Sequence, residues 1–340
     1  MNRVNDFFKS VESVMDGLLT QKYIIDRRIA TTVYLAGRLE KPLLIEGPAG
    51  VGKTGLAGAI AMAGQTELIR LQCYPGLDES KTLYEWNYQK QLLHIQMHGS
   101  DCDIFSTDFL LERPLLKAFR AKCPVVLLVD EIDKGEEELE SFLLEALSEF
   151  QVSIPEFGLI RATHKPYVVI TSNSTRELGD ALKRRCLYLY LTYPDAAREQ
   201  VILNLKVPGI SRHLAGQIVD FVQRLRKMKI KKSPSITETI DWARTLLLLG
   251  RDRLDEQMVR HTLNVLLKYE EDIEQADRQA GGLLSSVAKS GSVAGEIDPD
   301  GSSNQSIVEK TCAAGLSSEI TPDNCGPGQT EDPVLARFDF

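Results

Sequence analysis

The stretch GPAGVGKT, Gly47 to Thr54, sets glycines, a lysine and a hydroxyl at the spacing GxxxxGK[ST]. Glycines let the backbone curl until successive N–H groups face one anion, and a helix starting behind the loop adds its dipole. Gly47, Pro48, Ala49, Gly50, Val51 and Gly52 would then cradle the phosphates of a nucleotide such as ATP. Lys53 would reach the outer phosphates and Thr54 would ligate Mg²⁺. The bland alternative, a glycine-rich turn, is disfavoured by the apolar run Leu43-Leu44-Ile45 before the loop and the helical LAGAIAMAG after it.

A second constellation ends the apolar run VVLLVDEID. Asp130 there suits a Mg²⁺ ligand acting mostly through water, and Glu131 a base that orients and deprotonates an attacking water. Acids after a strand also cap the next helix, but a position after a phosphate loop with one strand between favours chemistry. Asp133 reads either as part of this site or as a cap on the helix starting near Lys134. Asn173 ends the run PYVVITSN, where its amide could hold the water near the outermost phosphate or merely close an Asx-turn.

These residues need a scaffold that brings strand ends together. KPLLIEG, ELIRLQC, PVVLLVDE, PYVVITSN and CLYLYLTY read as strands. Their continuous apolar character implies burial on both faces in a parallel five-stranded sheet flanked by helices. The helix KGEEELESFLLEALSEF carries one stripe of Leu139, Phe142, Leu143, Ala146, Leu147 and Phe150. VSIPEFGLIRATH reads as a hairpin around Pro155 to Gly158. From Asp195 to about Ala280 only helical patterns remain. The expected organisation is an α/β nucleotide-binding domain over 1–194, a small helical lid over 195–280 and a disordered tail over 281–340. The tail holds six of the eight net negative charges of the 340-residue chain and little apolar surface. Its last residues, DPVLARFDF, read as a docking peptide or a frayed end.

Six scattered cysteines without a CxxC pair, no apolar run near the roughly 18 residues of a membrane span, and an amphipathic N-terminus are expected of a cytoplasmic protein with reduced thiols. His94, His98 and Cys102 recur every fourth residue, yet LLHIQMHG alternates like a strand; exposed insertion residues are preferred over metal ligands. The basic run RLRKMKIKK (Arg224 to Lys232) reads as a solvated helix end rather than a nucleic-acid patch, given the acidic body.

A phosphate loop, an Asp-Glu strand, an Asn-tipped strand and then a double arginine before a fifth strand is a layout that resembles the AAA+ ATPases. The segment YPGLDESKTLYEWNYQKQLLHIQ after the second strand and the hairpin before the fourth resemble the helix-2 insertion and pre-sensor hairpin of the clade that includes the MoxR ATPases. LLVDEIDKGEEELESFLLEALSEFQVSIPEFG, ITSNSTRELGDALKRRCLYLYLTYPD and PSITETIDWARTLLLLG are similar to its CoxD-like branch, over roughly Val11 to Ala276. The resemblance implies an ATP-hydrolysing ring, often a hexamer, in which Arg185, with Arg184 beside it, reaches a neighbour's nucleotide as an arginine finger. It also implies Tyr23 and Ile24 against adenine, where the alternative is plain helix packing, and Gln72 as a restraint on Glu131 or simply a satisfied strand end. The implied partners are a molybdenum hydroxylase or other metalloenzyme client and a von Willebrand factor A (VWA) protein. A nucleic-acid motor and a scaffold without turnover are the alternatives. Glu156 and Phe157 at the hairpin turn, with Arg161 only later, favour a protein client. One departure stands out. Where many such lids carry an arginine, this chain offers Ser235, Ile236 and Thr237, with Arg244 two turns on.

Overall fold

The computed structural model describes residues 7–98, 103–155 and 157–290. The chain separates into two units, Met1–Val287 and Ala288–Phe340, and of the second only residues 288–290 are described.

Ser10 and Asp26 start the first two helices, α1 (Val11–Thr20) and α2 (Arg27–Leu39), by accepting from the N–H groups of Ser13 and Ile29. β1 (Leu43–Glu46), α3 (Lys53–Gly64) and β2 (Leu68–Gln72) follow. An insertion then contains α4 (Glu79–Leu83), β3 (Tyr84–Trp86), α5 (Tyr88–His98) and β4 (Leu110–Glu112), with β3 antiparallel to β4. After it come α6 (Pro114–Phe119), β5 (Val126–Asp130) and α7 (Glu137–Glu149). The hairpin of β6 (Gln151–Ile154) and β7 (Gly158–Arg161) leads to β8 (Tyr167–Ser172), α8 (Asp180–Arg185) and β9 (Leu187–Tyr190).

The main sheet is parallel throughout, in the order β2-β5-β8-β1-β9. Strand side chains alternate between faces. Leu44, Leu127, Val129 and Ile170 pack against Leu115, Phe119, Leu139 and Leu143 of α6 and α7. Leu43, Ile45, Leu128 and Val169 pack against Val14, Val33, Leu56 and Ile60 of α1 to α3. Burying each such side chain is worth about 1.5–3 kcal/mol, so the two layers clamp the sheet and fix the strand ends that carry the site.

Two readings need correction here. Burial on both faces holds for β1, β5 and β8, but the edge strands β2 and β9 expose alternate residues, because at the sheet margins only one of their faces is covered by packed side chains. LLHIQMHG is not a strand; it lies in helix α5. Leu92, Leu93 and Met97 face solvent, while Gln91 is buried and donates to the Ile104 carbonyl. The apolar residues therefore do not mark the inner face. His94 stacks edge-on against Phe109, Cys102 lies outside the described residues, and among the described residues no group of three could hold a metal ion.

The helical region comprises α9 (Ala196–Lys206), α10 (Arg212–Leu225), α11 (Ile236–Leu248), α12 (Glu256–Leu266) and α13 (Glu270–Ser290). They enclose Leu214, Phe221, Trp242, Val259 and Leu263. Buried Glu199 accepts two bonds from Arg226, at 2.7 and 2.8 Å, and Arg226 also lies 4.7 Å from the Tyr193 ring. A buried pair with both partners satisfied orients its surroundings more than it stabilises them; this one ties the segment leaving β9 to the lid. The basic run is accordingly structural at Arg226 and paired to Glu271 at Lys231. Helix α13 extends to Ser290, past the expected tail boundary at 281, with Leu283 and Leu284 against the lid core. The rest of the proposed tail, including DPVLARFDF, lies outside the described residues. Among the described residues no helix is long and apolar enough to cross a membrane.

Candidate active site

The loop after β1 bends as its glycines allow. Gly52 is left-handed (φ 99°) and precedes Lys53, the first residue of α3. Gly50 is left-handed too (φ 74°), and a Cβ there would lie 2.3 Å from that of Ser235. Any side chain at 50 would collide with the lid, so the loop is glycine for its neighbour as well as for its curl. Ser235 starts α11 through a capping box with Glu238. Arg244, the other candidate lid contact, pairs with Asp241 instead, at 3.8 Å.

Lys53 is buried and donates to the carbonyls of Gly47 (2.7 Å) and Pro48 (2.8 Å) and to Oδ1 of Asn173 (2.8 Å). Burial pulls its pKa down, and the carboxylates of Asp133, Asp130 and Glu131 oppose this only in part. Tyr23 lies over the same loop, its hydroxyl donating to the Gly52 carbonyl at 3.0 Å, and burial raises its pKa. Ile24 offers its carbonyl to Arg198 of α9 at 3.0 Å. The two residues expected near adenine thus join the loop to the lid.

Parallel register carries the carboxylates to the loop. Gln72 pairs with Asp130 across β2 and β5. Asp130, 1% exposed, accepts from Thr54 Oγ1 at 3.0 Å and from Thr171 Oγ1 at 2.5 Å on Oδ1. Its Oδ2 accepts from Arg70 at 2.5 Å. Glu131 is left-handed (φ 57°), an uncommon conformation for a glutamate, and its N–H is held by Thr171 Oγ1 at 2.9 Å. Its carboxylate is held on both oxygens. Oε1 accepts from Asn173 Nδ2 (3.1 Å), while Oε2 accepts from Gln72 Nε2 (2.8 Å) and Lys134 Nζ (2.6 Å).

Asp133 does not cap a helix. Buried, it accepts from the N–H groups of Asn173 (3.1 Å) and Thr175 (3.0 Å) and from the Thr175 hydroxyl (2.6 Å). Burial alone would raise its pKa, but the bonds from Thr175 and Asn173 prevail and hold it below the ordinary value. It fixes the turn that presents Asn173. Cys73 beside these acids is inert: burial, then the fields of Asp130, Asp133 and Glu131, push its thiol up to about 12.

Arg70, Lys134, Thr171 and the function of Asp133 escaped the sequence reading. A signal existed for two of them. Arg70 and Gln72 sit two apart on β2, and Thr171 and Asn173 two apart at the end of β8, so each pair leaves its strand on one side. Arg184 and Arg185 lie elsewhere. Arg185 donates to the Leu144 carbonyl (3.2 Å) and to Ser148 of α7, whereas Arg184 is exposed and has no hydrogen-bond or ion-pair partner among the described residues.

The oxygen ligands Thr54 and Asp130, in contact beside the glycine-rich loop, suit a magnesium ion bound with a nucleoside triphosphate. Known proteins share parts of this sequence and fold. Residues 42–186 match the AAA domain of the dynein-related subfamily. An uncharacterized protein of Staphylococcus haemolyticus is 24% identical over 250 residues, covering 70% of this chain and 88% of its own. One from Staphylococcus epidermidis is 25% identical, covering 63% and 78%. Among solved structures, the Holliday junction branch migration motor RuvB of Thermotoga maritima overlaps with a TM-score of 0.42 at 18% identity, over 76% of this chain and 73% of that one. The chain thus has an α/β region with a five-stranded parallel sheet and a P-loop, similar over residues 42–186 to an AAA domain, followed by a helical region.

Proposed function

We propose that this chain binds Mg²⁺-ATP and hydrolyses it, and that hydrolysis drives the remodelling of a protein client. The observation that carries the reading is the continuous connection Lys53–Asn173–Glu131. The residue for the outer phosphates, the amide for the water and the base for its proton form one hydrogen-bonded set, with the Thr54–Asp130 pair beside it. Magnesium, when bound, would be held by Thr54 and Asp130 and would neutralise phosphate charge. The loop N–H groups and Lys53 orient the triphosphate, Asn173 positions the water, and Glu131 takes its proton as the water attacks the terminal phosphorus and the P–O bond to the departing ADP breaks. Such a base is worth about 10²–10⁴ in rate. Glu131→Gln should thus bind fluorescent ATP with near-normal affinity and lose steady-state turnover by at least the lower of those factors; retained turnover would sink the assignment.

The client is read from resemblance to the CoxD-like MoxR branch: a metalloenzyme such as a molybdenum hydroxylase, with a VWA-domain partner, acted on by a cytoplasmic ring. The hairpin supports a protein client over nucleic acid. Leu159 on it is half exposed, and its arginine, Arg161, is turned back onto Gln151 at 3.3 Å. Stimulation of ATPase by an apo-metalloenzyme but not by DNA would support this; stimulation by DNA would reverse it.

A further inference from the structure

Arg70, already seen on Asp130, has been given no task so far, yet it also bonds to Gln72, a partner of Glu131. On the edge strand β2, half exposed, it donates one nitrogen to Asp130 Oδ2 at 2.5 Å and to Gln72 Oε1 at 2.6 Å. Gln72 in turn donates its Nε2 to Glu131 Oε2 at 2.8 Å. The orientation of the Gln72 amide is forced. A guanidinium only donates and a carboxylate only accepts, so the amide oxygen must face Arg70 and its nitrogen must face Glu131. The chain Asp130–Arg70–Gln72–Glu131 therefore joins the carboxylate that suits the metal to the carboxylate that suits the water.

We propose that Arg70 is a positioning residue that couples metal occupancy at Asp130 to release of Glu131. Its guanidinium neutralises buried Asp130, the electrostatic service a divalent cation also performs. Two cations cannot both draw fully on one carboxylate, so an ion arriving at Asp130 weakens the hold of Arg70. With Arg70 displaced, the Gln72 oxygen has no donor and the amide is held only through its nitrogen, by Glu131 and a long contact to the Cys73 carbonyl; so loosened, it can turn to solvent, and Glu131 then loses one of its three donors. Asn173 and Lys134 remain to orient it. The base is thus restrained until nucleotide and metal arrive together. The relay rests on the ATPase reading above and adds to it a cause for the restraint.

The test uses the full chain with a fluorescent ATP analogue, titrating Mg²⁺. Arg70→Met keeps the stem and removes the charge. Without its competitor, the Mg²⁺ concentration for half-maximal analogue binding should fall about fivefold or more, the lower end of ordinary coupling between sites. Arg70→Lys keeps the charge without the guanidinium and should lie between the two, with at least about a twofold fall. If Arg70→Met does not fold, as judged by circular dichroism, the lysine variant decides alone. Unchanged or raised Mg²⁺ requirement in the folded variants overturns the relay. A wild type that binds no analogue with Mg²⁺ overturns the ATPase reading itself, so the two failures are distinguishable. The Gln72 leg is tested by a double-mutant cycle on turnover at saturating Mg²⁺, where the direct effect on metal binding is removed: the effect of Arg70→Met should vanish in a Gln72→Ala background, and additive effects would show that Arg70 does not act through Gln72.

Discussion

Asp133 looks like a third acid in an acidic motif, but its bonds give it a different task from its neighbours. Three donors from the Asn173–Thr175 turn converge on it, and hydrogen bonds to a charged acceptor are worth about 1.5–3 kcal/mol each. Asp133→Asn would aim an amide at donors on one side and should cost about 2–3 kcal/mol in stability. The pH dependence has a definite sign. The folded carboxyl is held below its unfolded value, so it stabilises the fold above the unfolded pKa and loses that contribution as pH falls through the acid range. Melting temperature measured from pH 7 downward should therefore drop less steeply for Asp133→Asn than for wild type. Parallel acid limbs would mean that the bonds to Asp133 do not hold the turn.

At the scale of elements, α13 decides where the lid ends. Ala276 and Ala280 are fully buried, and Leu283 and Leu284 pack on the lid core beyond the point where polar, acidic composition begins. Truncation after Ser290 should leave the thermal transition unchanged, because every described contact of α13 with the lid core is then kept. Truncation after Gly281 removes two partly buried leucines and should lower stability by about 2–3 kcal/mol at the usual value of apolar burial. Equal melting temperatures for the two truncations would place the lid boundary back at residue 281. The Ser235–Gly50 approach belongs to this scale too: it places the start of α11 directly on the phosphate loop.

For the whole molecule, the open question is how many chains make one site. Arg184 and Arg185 end α8 with their guanidinium groups away from the Lys53–Asn173–Glu131 set: Arg185 is bonded to α7 and Arg184 is unpaired among the described residues. A ring in which they reach a neighbour's phosphate predicts complementation. Arg185→Ala should bind ATP and hydrolyse it poorly, and Lys53→Ala should do neither well. Mixed in one assembly, roughly a quarter of interfaces join an intact P-loop to an intact arginine pair, so part of the activity should return. Arg184→Ala goes through the same mixing, since it is the freer of the two. No recovery despite demonstrated subunit exchange, or a monomer with full activity, would remove the neighbour from the mechanism.

The legible part of the protein is its local part. GPAGVGKT between an apolar run and a helix, Asp130-Glu131 and Asn173 at strand ends, and the double arginine before the last strand all declare themselves within a few residues, because strand, turn and helix N-terminus depend on near neighbours. Parallel order and register could not be read that way. They place Gln72 opposite Asp130 and so set Arg70, remote in sequence, onto the Asp130 carboxylate. The helix in LLHIQMHG was hidden because Leu92, Leu93 and Met97 face solvent, which breaks the premise that apolar residues mark the inner side. Exposure on one face of β2 and β9 follows from their place at the margins of the sheet, where the flanking layers cover only one side. What the linear sequence determined is which groups could bind a nucleotide and metal; what only the tertiary structure decided is which of them restrain one another, since a hydrogen bond between residues 60 apart exists only once the sheet has brought their strands side by side.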